Sequence, residues 1–185
     1  MSKVAIVGDP SGTGTFTISA PNGNTDRTLV LPDEAGTVLT SAGVPASAMP
    51  AGSVIQVVQN ALTQQISTTS TTDSVVISQA ITPLRASSKI LVIATCPSLT
   101  PSNTEVWYSL YRNSTKIVAE DKHGSGTGPS FWVTVALQRL DSPNTTSSVT
   151  YSLQFRTNLA GSATYSGTGV GGTNNTSITL LEISA

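Results

Sequence analysis

The chain has 185 residues, of which only 10% are charged, nine Lys and Arg against ten Asp and Glu, for a net charge of −1. No basic stripe exists to neutralise phosphates, so charge-driven binding of nucleic acid is disfavoured, as is attraction to an anionic membrane surface. Ser and Thr fill 54 positions and Gly another 15, poor material for long helices and good material for strands and turns, so the expected fold class is all-β.

The start, Met1 to Val7, has one basic residue and an apolar run too short for a secretory signal. No run approaches membrane-spanning length, which predicts synthesis in a cytoplasm and no membrane insertion. Thr15, Phe16, Thr17 and Ile18 then alternate, and Asn22-Gly23 is a hairpin turn signal. In Arg27-Thr-Leu-Val-Leu-Pro-Asp-Glu-Ala-Gly-Thr-Val-Leu-Thr-Ser41, Leu29 and Leu31 share one side of an extended chain, and Pro32 and Gly36 confine a bend before Val38. Such a small hairpin unit buries too little apolar surface to be stable alone. Three copies wound about an axis could share Phe16, Ile18, Leu29, Leu31 and Val38. Residues 1–41 are therefore expected to be a short N-terminal β-hairpin arm that trimerises the protein and anchors it.

Residues 42–52 string Gly43, Pro45, Pro50 and Gly52 among small residues with no sustained period, which predicts a linker that runs extended. From Ser53 onward, apolar stretches alternate with polar or Pro-bearing turns. Eight strands are expected, near 53–59, 74–81, 88–96, 104–112, 115–120, 130–140, 148–157 and 176–184. They would make residues 53–185 an antiparallel, jelly-roll-like sandwich. Phe131, Val133, Val135 and Leu137 alternate with Trp132, Thr134, Ala136 and Gln138, giving one buried face; Val149, Tyr151, Leu153 and Phe155 do the same in the next strand. Ile90 to Ala94 is apolar throughout, which predicts a central strand covered on one face by the opposite sheet and on the other by a partner subunit or loop.

The order GTFTISAPNGNTDRTLVLPDEAGTVLTS over residues 14–41 resembles a module of bacteriophage tail-fibre and other virion-surface proteins, where it precedes a trimeric, β-rich head. Gly52-Ser-Val-Ile-Gln-Val-Val58, Ile81-Thr-Pro, Ser87-Ser-Lys-Ile-Leu-Val92 and Leu110-Tyr-Arg-Asn113 resemble, in the same order, a recurrent C-terminal head of fibre-type proteins. The resemblance implies a non-enzymatic virion structural protein, made in the cytoplasm of the host bacterium and carried on the virion. It would be a homotrimer touching other capsid or tail proteins. The small size and lack of a long shaft favour a capsid decoration (cement) or short head-fibre protein. The module itself favours the alternative, a tail fibre or receptor-binding tip that adsorbs to the host.

No cofactor or metal site is expected. Gly167-Thr-Gly-Val-Gly-Gly172 satisfies a GxGxxG string, but a strand-like stretch follows it, so no helix N-terminus is available for phosphate. Gly124 to Gly128 reads as a flexible loop. Cys96 is the only cysteine, expected to be a buried inert thiol. His123 is the only histidine and has no second histidine to complete a zinc site with Glu120 and Asp121; no GxSxG string accompanies it for a serine hydrolase. A glycan-cleaving tailspike would need paired carboxylates, and Asp73, Glu105, Glu120, Asp121, Asp141 and Glu182 are scattered, with no β-helix repeat to carry them. Trp107, Tyr111 and Trp132 are the aromatic candidates for stacking on a host-surface glycan; core or subunit seam is the favoured alternative. Asn113, Asn144 and Asn175 begin glycosylation sequons of the kind that a Ser- and Thr-rich chain generates by chance.

Overall fold

The computed structural model describes residues 8, 10–15, 17, 19, 22–26, 28, 44–62, 64–123, 129–159, 164–166 and 176–185. The anchor candidates Phe16, Ile18, Leu29, Leu31 and Val38 lie outside these, as do residues 124–128 and 167–175. The chain divides into two units, Met1–Val38 and Leu39–Ala185. Every described strand belongs to the second.

Among the described residues ten strands follow one another: β1 (Val54–Ala61), β2 (Ile66–Thr68), β3 (Ser74–Ile81), β4 (Lys89–Thr100), β5 (Val106–Arg112), β6 (Thr115–His123), β7 (Phe131–Asp141), β8 (Val149–Thr157), β9 (Thr164–Ser166) and β10 (Ser177–Ile183). All eight strands expected from the sequence are present. The two additional ones, β2 and β9, are three residues long and pair with each other, too short to show alternation.

The strands form two antiparallel sheets. In the first, β10 lies between β1 and β4, and β4 takes β7 along its other edge; β9 pairs with Ser98 and Leu99 of β4 and carries β2 beyond it. In the second the order is β3-β8-β5-β6. The chain changes sheet at β2 to β3, β3 to β4, β4 to β5, β6 to β7, β7 to β8 and β8 to β9, and the two sheets face each other with β3 against β1 and β10 and β6 against β7.

The core follows from alternation. Ile90, Val92, Ala94 and Cys96 of β4 point inward and are fully buried, facing Tyr108 and Leu110 of β5 and Tyr151, Leu153 and Phe155 of β8. Val76 and Ile77 are both buried although adjacent, because the register with β8 slips between Val75 and Ile77; such a bulge re-aims one side chain. The stretch Ile90 to Ala94 lies in β4. The strand is central, with partners along both edges, yet its outward residues Leu91 and Ile93 remain partly exposed.

The segment before β1 also departs from expectation. Instead of running extended throughout, it forms a 3-10 turn at Ala46–Ala48 after Pro45, with Ala48 N–H donating to Pro45 O at 2.8 Å. Proline at φ −62° pre-sets the entry to such a turn. Pro50 to Ser53 then closes a β-turn with a 3.1 Å bond, and Gly52 supplies its φ of 87°. Gly52 N–H donates to Ser184 O at 2.7 Å, and the Arg85 guanidinium donates to Ala46 O and, at 3.0 Å, to Ser184 Oγ.

Candidate functional site

In β5 the inward residues are Val106, Tyr108 and Leu110, so Trp107, Ser109 and Tyr111 line the outer face of the four-stranded sheet. Cross-strand register then decides what surrounds the two rings. Trp107 pairs with Lys122 of β6 on one side and Arg156 of β8 on the other. The Arg156 guanidinium carbon lies 4.7 Å from the Trp107 ring centroid and Lys122 Nζ 5.9 Å from it, both within cation–π range. Lys122 also meets Glu105 at 2.5 Å.

Four residues along, Tyr111 donates its hydroxyl to Asp73 Oδ2 at 2.5 Å. Lys116, its partner in β6, places Nζ 3.0 Å from the same carboxylate oxygen and 5.6 Å from the Tyr111 ring centroid. Arg156 Nε reaches to within 3.7 Å of Asp73 Oδ1. Asp73 thus joins the two aromatic positions from the residue just before β3. Burial pushes the Tyr111 phenol above its ordinary value of 10.0, and the Asp73 hydrogen bond and charge add to this, against a smaller opposing effect of Lys116. Trp107 Nε1 and Ser109 Oγ, buried on this face, have no hydrogen-bond partner among the described residues.

Chemically the charged groups of the patch are engaged with one another and with the two rings. Its cations are held over rings or against carboxylates, so a sugar could stack on Trp107 only by displacing Arg156 or Lys122. Comparison with protein-family models and with curated proteins finds no match. The residues' own surroundings therefore carry the functional reading.

Trp132 is elsewhere. It sits in β7 opposite Leu99, on the outer face of the other sheet, and is 37% exposed. The three aromatic candidates are thus divided between the two outer faces. His123 closes β6, pairing through its backbone with Val106. Cys96 is buried in the core. Among the described residues no three His, Cys, Asp or Glu side chains come together as a metal-holding group.

Four of the carboxylates named above are each engaged separately: Asp73 and Glu105 as described, Asp141 with Arg112 and Tyr151, and Glu182 with backbone. Glu182 is fully buried near the end of β10, where Oε1 accepts from Leu84 N–H at 2.8 Å and Arg85 N–H at 3.3 Å. Asn113 occupies the β5–β6 turn at φ 51°, and its Oδ1 accepts from Thr150 N–H at 3.0 Å, an amide put to use in joining the turn to β8. Asn144 is a second left-handed turn residue, at φ 53°. Asn175 and the GxGxxG string lie outside the described residues.

Sequence reasoning missed Asp73, Lys116, Lys122 and Arg156 as neighbours of the candidate aromatics. The slips in register between β5 and β6 at Tyr108/Leu110 and Leu110/Tyr111 hide which lysine meets which ring. Asp73 ends a run of polar turn residues and carries no periodic signal.

Proposed function

We propose that this chain is a non-enzymatic phage virion protein, displayed on the particle surface as a homotrimeric capsid decoration or short head fibre. The observation that carries the reading is the order of its parts: TLVLPDEAGTVLTS, resembling a virion-surface module, followed by an all-β, two-sheet body over Val54–Ile183. The strand orders β1-β10-β4-β7 and β3-β8-β5-β6, with repeated passage between sheets, support a jelly-roll arrangement of that body. The low charge supports assembly, since a chain with 10% charged residues gains solubility when part of its surface is covered.

In this reading residues 1–41 anchor the protein to its neighbour on the virion and the sandwich faces outward. The tail-fibre or receptor-binding alternative has the module resemblance in its favour. Against it stand the rings of Trp107 and Tyr111, which are occupied by the protein's own cations.

The test mixes particles lacking this protein with the full-length chain or with a chain lacking residues 1–41 and measures the protein that sediments with them. Full-length protein should bind tail-less capsids and the shortened chain should not. Equal binding of both would remove the anchor role from the arm. Binding to host cells in place of capsids would transfer the protein to the tail.

A further inference from the structure

Register across the six-stranded sheet aligns one apolar row on its outer face. Val57 of β1 opposes Leu181 of β10, Leu181 opposes Leu91 of β4, and Leu91 opposes Leu140 of β7. Val57 and Leu140, at the two ends of the row, are 56% and 47% exposed. The next rows are Gln59, Thr179, Ile93 and Gln138, then Ala61, Ser177, Thr95 and Ala136. None of these side chains is ionisable. The polar ones are in part paired within the face: Gln59 Nε2 donates to Thr179 Oγ1 at 2.9 Å, and the hydroxyls of Thr95 and Ser177 are 3.2 Å apart. The outer face of the other sheet is unlike it, carrying Lys116, Lys122 and Arg156 beside Asp73 and Glu105.

We infer that copies of this chain meet through the outer face of β1, β10, β4 and β7, an assignment that rests on the trimer proposed above and gives the contacts that hold it to the body, leaving residues 1–41 the anchor. A sheet that ends in solvent alternates apolar inward with polar outward; Leu91 and Ile93 break that rule in the central strand, and the break extends across four strands. A lone exposed leucine needs no explanation, whereas a contiguous row does. The occupant follows from charge. Apart from Lys89 at its edge, opposite Ile183, these rows offer no ion pair to an acidic or basic partner and would strip water from any charged group brought against them. Its complement is a surface equally poor in charge, and the same face of the other two copies, gathered about one axis, is such a surface. Depletion of charge at the centre is the compositional mark of homo-oligomer interfaces.

The test is sedimentation velocity on the full chain. Compared with wild type are a double variant, Leu91→Glu with Leu181→Glu, a milder one, Gln138→Glu, and a control on the other sheet, Thr150→Glu. Wild type and the control should sediment at three chain masses. The double variant should sediment as a single chain while keeping a strand-type circular dichroism spectrum, and Gln138→Glu should raise the concentration at half-dissociation about tenfold or more. A folded double variant that stays at three chain masses overturns the assignment and leaves the trimer standing. If the double variant does not fold, Gln138→Glu decides: an unchanged half-dissociation concentration overturns it. Wild type that is a single chain at every concentration removes the trimer and the interface together.

Discussion

The hydroxyl of Tyr151 donates to Asp141 Oδ2 at 2.7 Å, tying β8 of one sheet to β7 of the other. Arg112 of β5 reaches the same carboxylate with Nη1 at 2.9 and 3.1 Å and caps Ser142 O at 3.3 Å. Tyr151 is fully buried, so the bond is made in a setting where an unmatched hydroxyl is expensive. Tyr151→Phe should lower unfolding free energy by about 1–2 kcal/mol, since Asp141 keeps Arg112. Asp141→Ala should cost more, about 2–4 kcal/mol, because it leaves both a buried hydroxyl and a partly buried guanidinium without their acceptor. Urea denaturation followed by circular dichroism would check the ranking; equal or smaller loss in Asp141→Ala would contradict it.

The same pair sets an alkaline limit. Burial, then the hydrogen bond and charge of Asp141, push the Tyr151 phenol well above its ordinary value of 10.0, with Arg112 offsetting only part. Above pH 10 the unfolded chain releases a proton that the folded chain retains. The unfolded state then binds fewer protons, so stability falls with pH, by up to about 1.4 kcal/mol per unit for this one group. Below pH 10 the contribution is fully present. Tyr151→Phe should flatten the decline of melting temperature between pH 10 and 11.5 without abolishing it, since the Tyr111 phenol is also raised. An unchanged alkaline slope would show that Tyr151 titrates normally.

Much of the body was legible because strands such as β7 and β8 repeat every second residue, so residue type alone separates Val135 and Leu153 from Thr134 and Gln154. Register is a different matter. That Leu181 stands beside Leu91, or that Arg156 and Lys122 flank Trp107, depends on which strands are neighbours and where the bulges fall, and neither is written in local periodicity. For this reason the aromatic residues were visible as a class while their division between two faces was not. The same limit applies to Pro45–Gly52: two prolines read as an extended linker, and the Arg85 guanidinium that binds Ala46 O comes from far along the chain.

Glu182 offers a sharper contrast between shape and charge. Its buried carboxylate accepts from the backbone of Leu84 and Arg85, closing the connection between β3 and β4 onto β10. Glu182→Gln retains an acceptor oxygen and should cost about 1 kcal/mol. Glu182→Leu strands the two backbone donors and should cost about 2–3 kcal/mol despite adding apolar surface to the interior. Chemical denaturation midpoints would order the two, and a leucine variant as stable as wild type would mean that water satisfies those donors at no loss.

The two tryptophans should differ in their access to solvent. Trp107 is partly buried between Lys122 and Arg156, whereas Trp132 is 37% exposed on the other sheet. With Trp132→Phe, the remaining Trp107 fluorescence should resist acrylamide; with Trp107→Phe, Trp132 should be quenched more strongly. If copies meet over the outer face of the six-stranded sheet and their contact reaches Leu99, quenching of Trp132 should rise on dilution below half-dissociation. Stronger quenching of Trp107 than of Trp132 at every concentration would contradict the placement of the two rings.

Where the stable body begins can be tested by trimming. The unit that contains every described strand starts at Leu39, and the segment before β1 is held by Gly52 N–H on Ser184 O and by Arg85 on Ala46 O. A chain beginning at Leu39 should fold with a strand-type spectrum and a cooperative melt. A chain beginning at Ser53 retains β1 and its ladder to β10, and it too should fold, but it loses the acceptor of Arg85 and the bond that closes onto Ser184. With the Ser184 hydroxyl bond to Met49 O at 3.4 Å, three hydrogen bonds are lost, one of them charge-assisted, worth about 2–5 kcal/mol together, which in a domain of this size lowers the melting temperature by roughly 5–15 °C. Arg85→Ala in the longer chain should reproduce part of that drop. If the two chains melt together, the turn at Ala46–Ala48 rests on the sandwich without stabilising it.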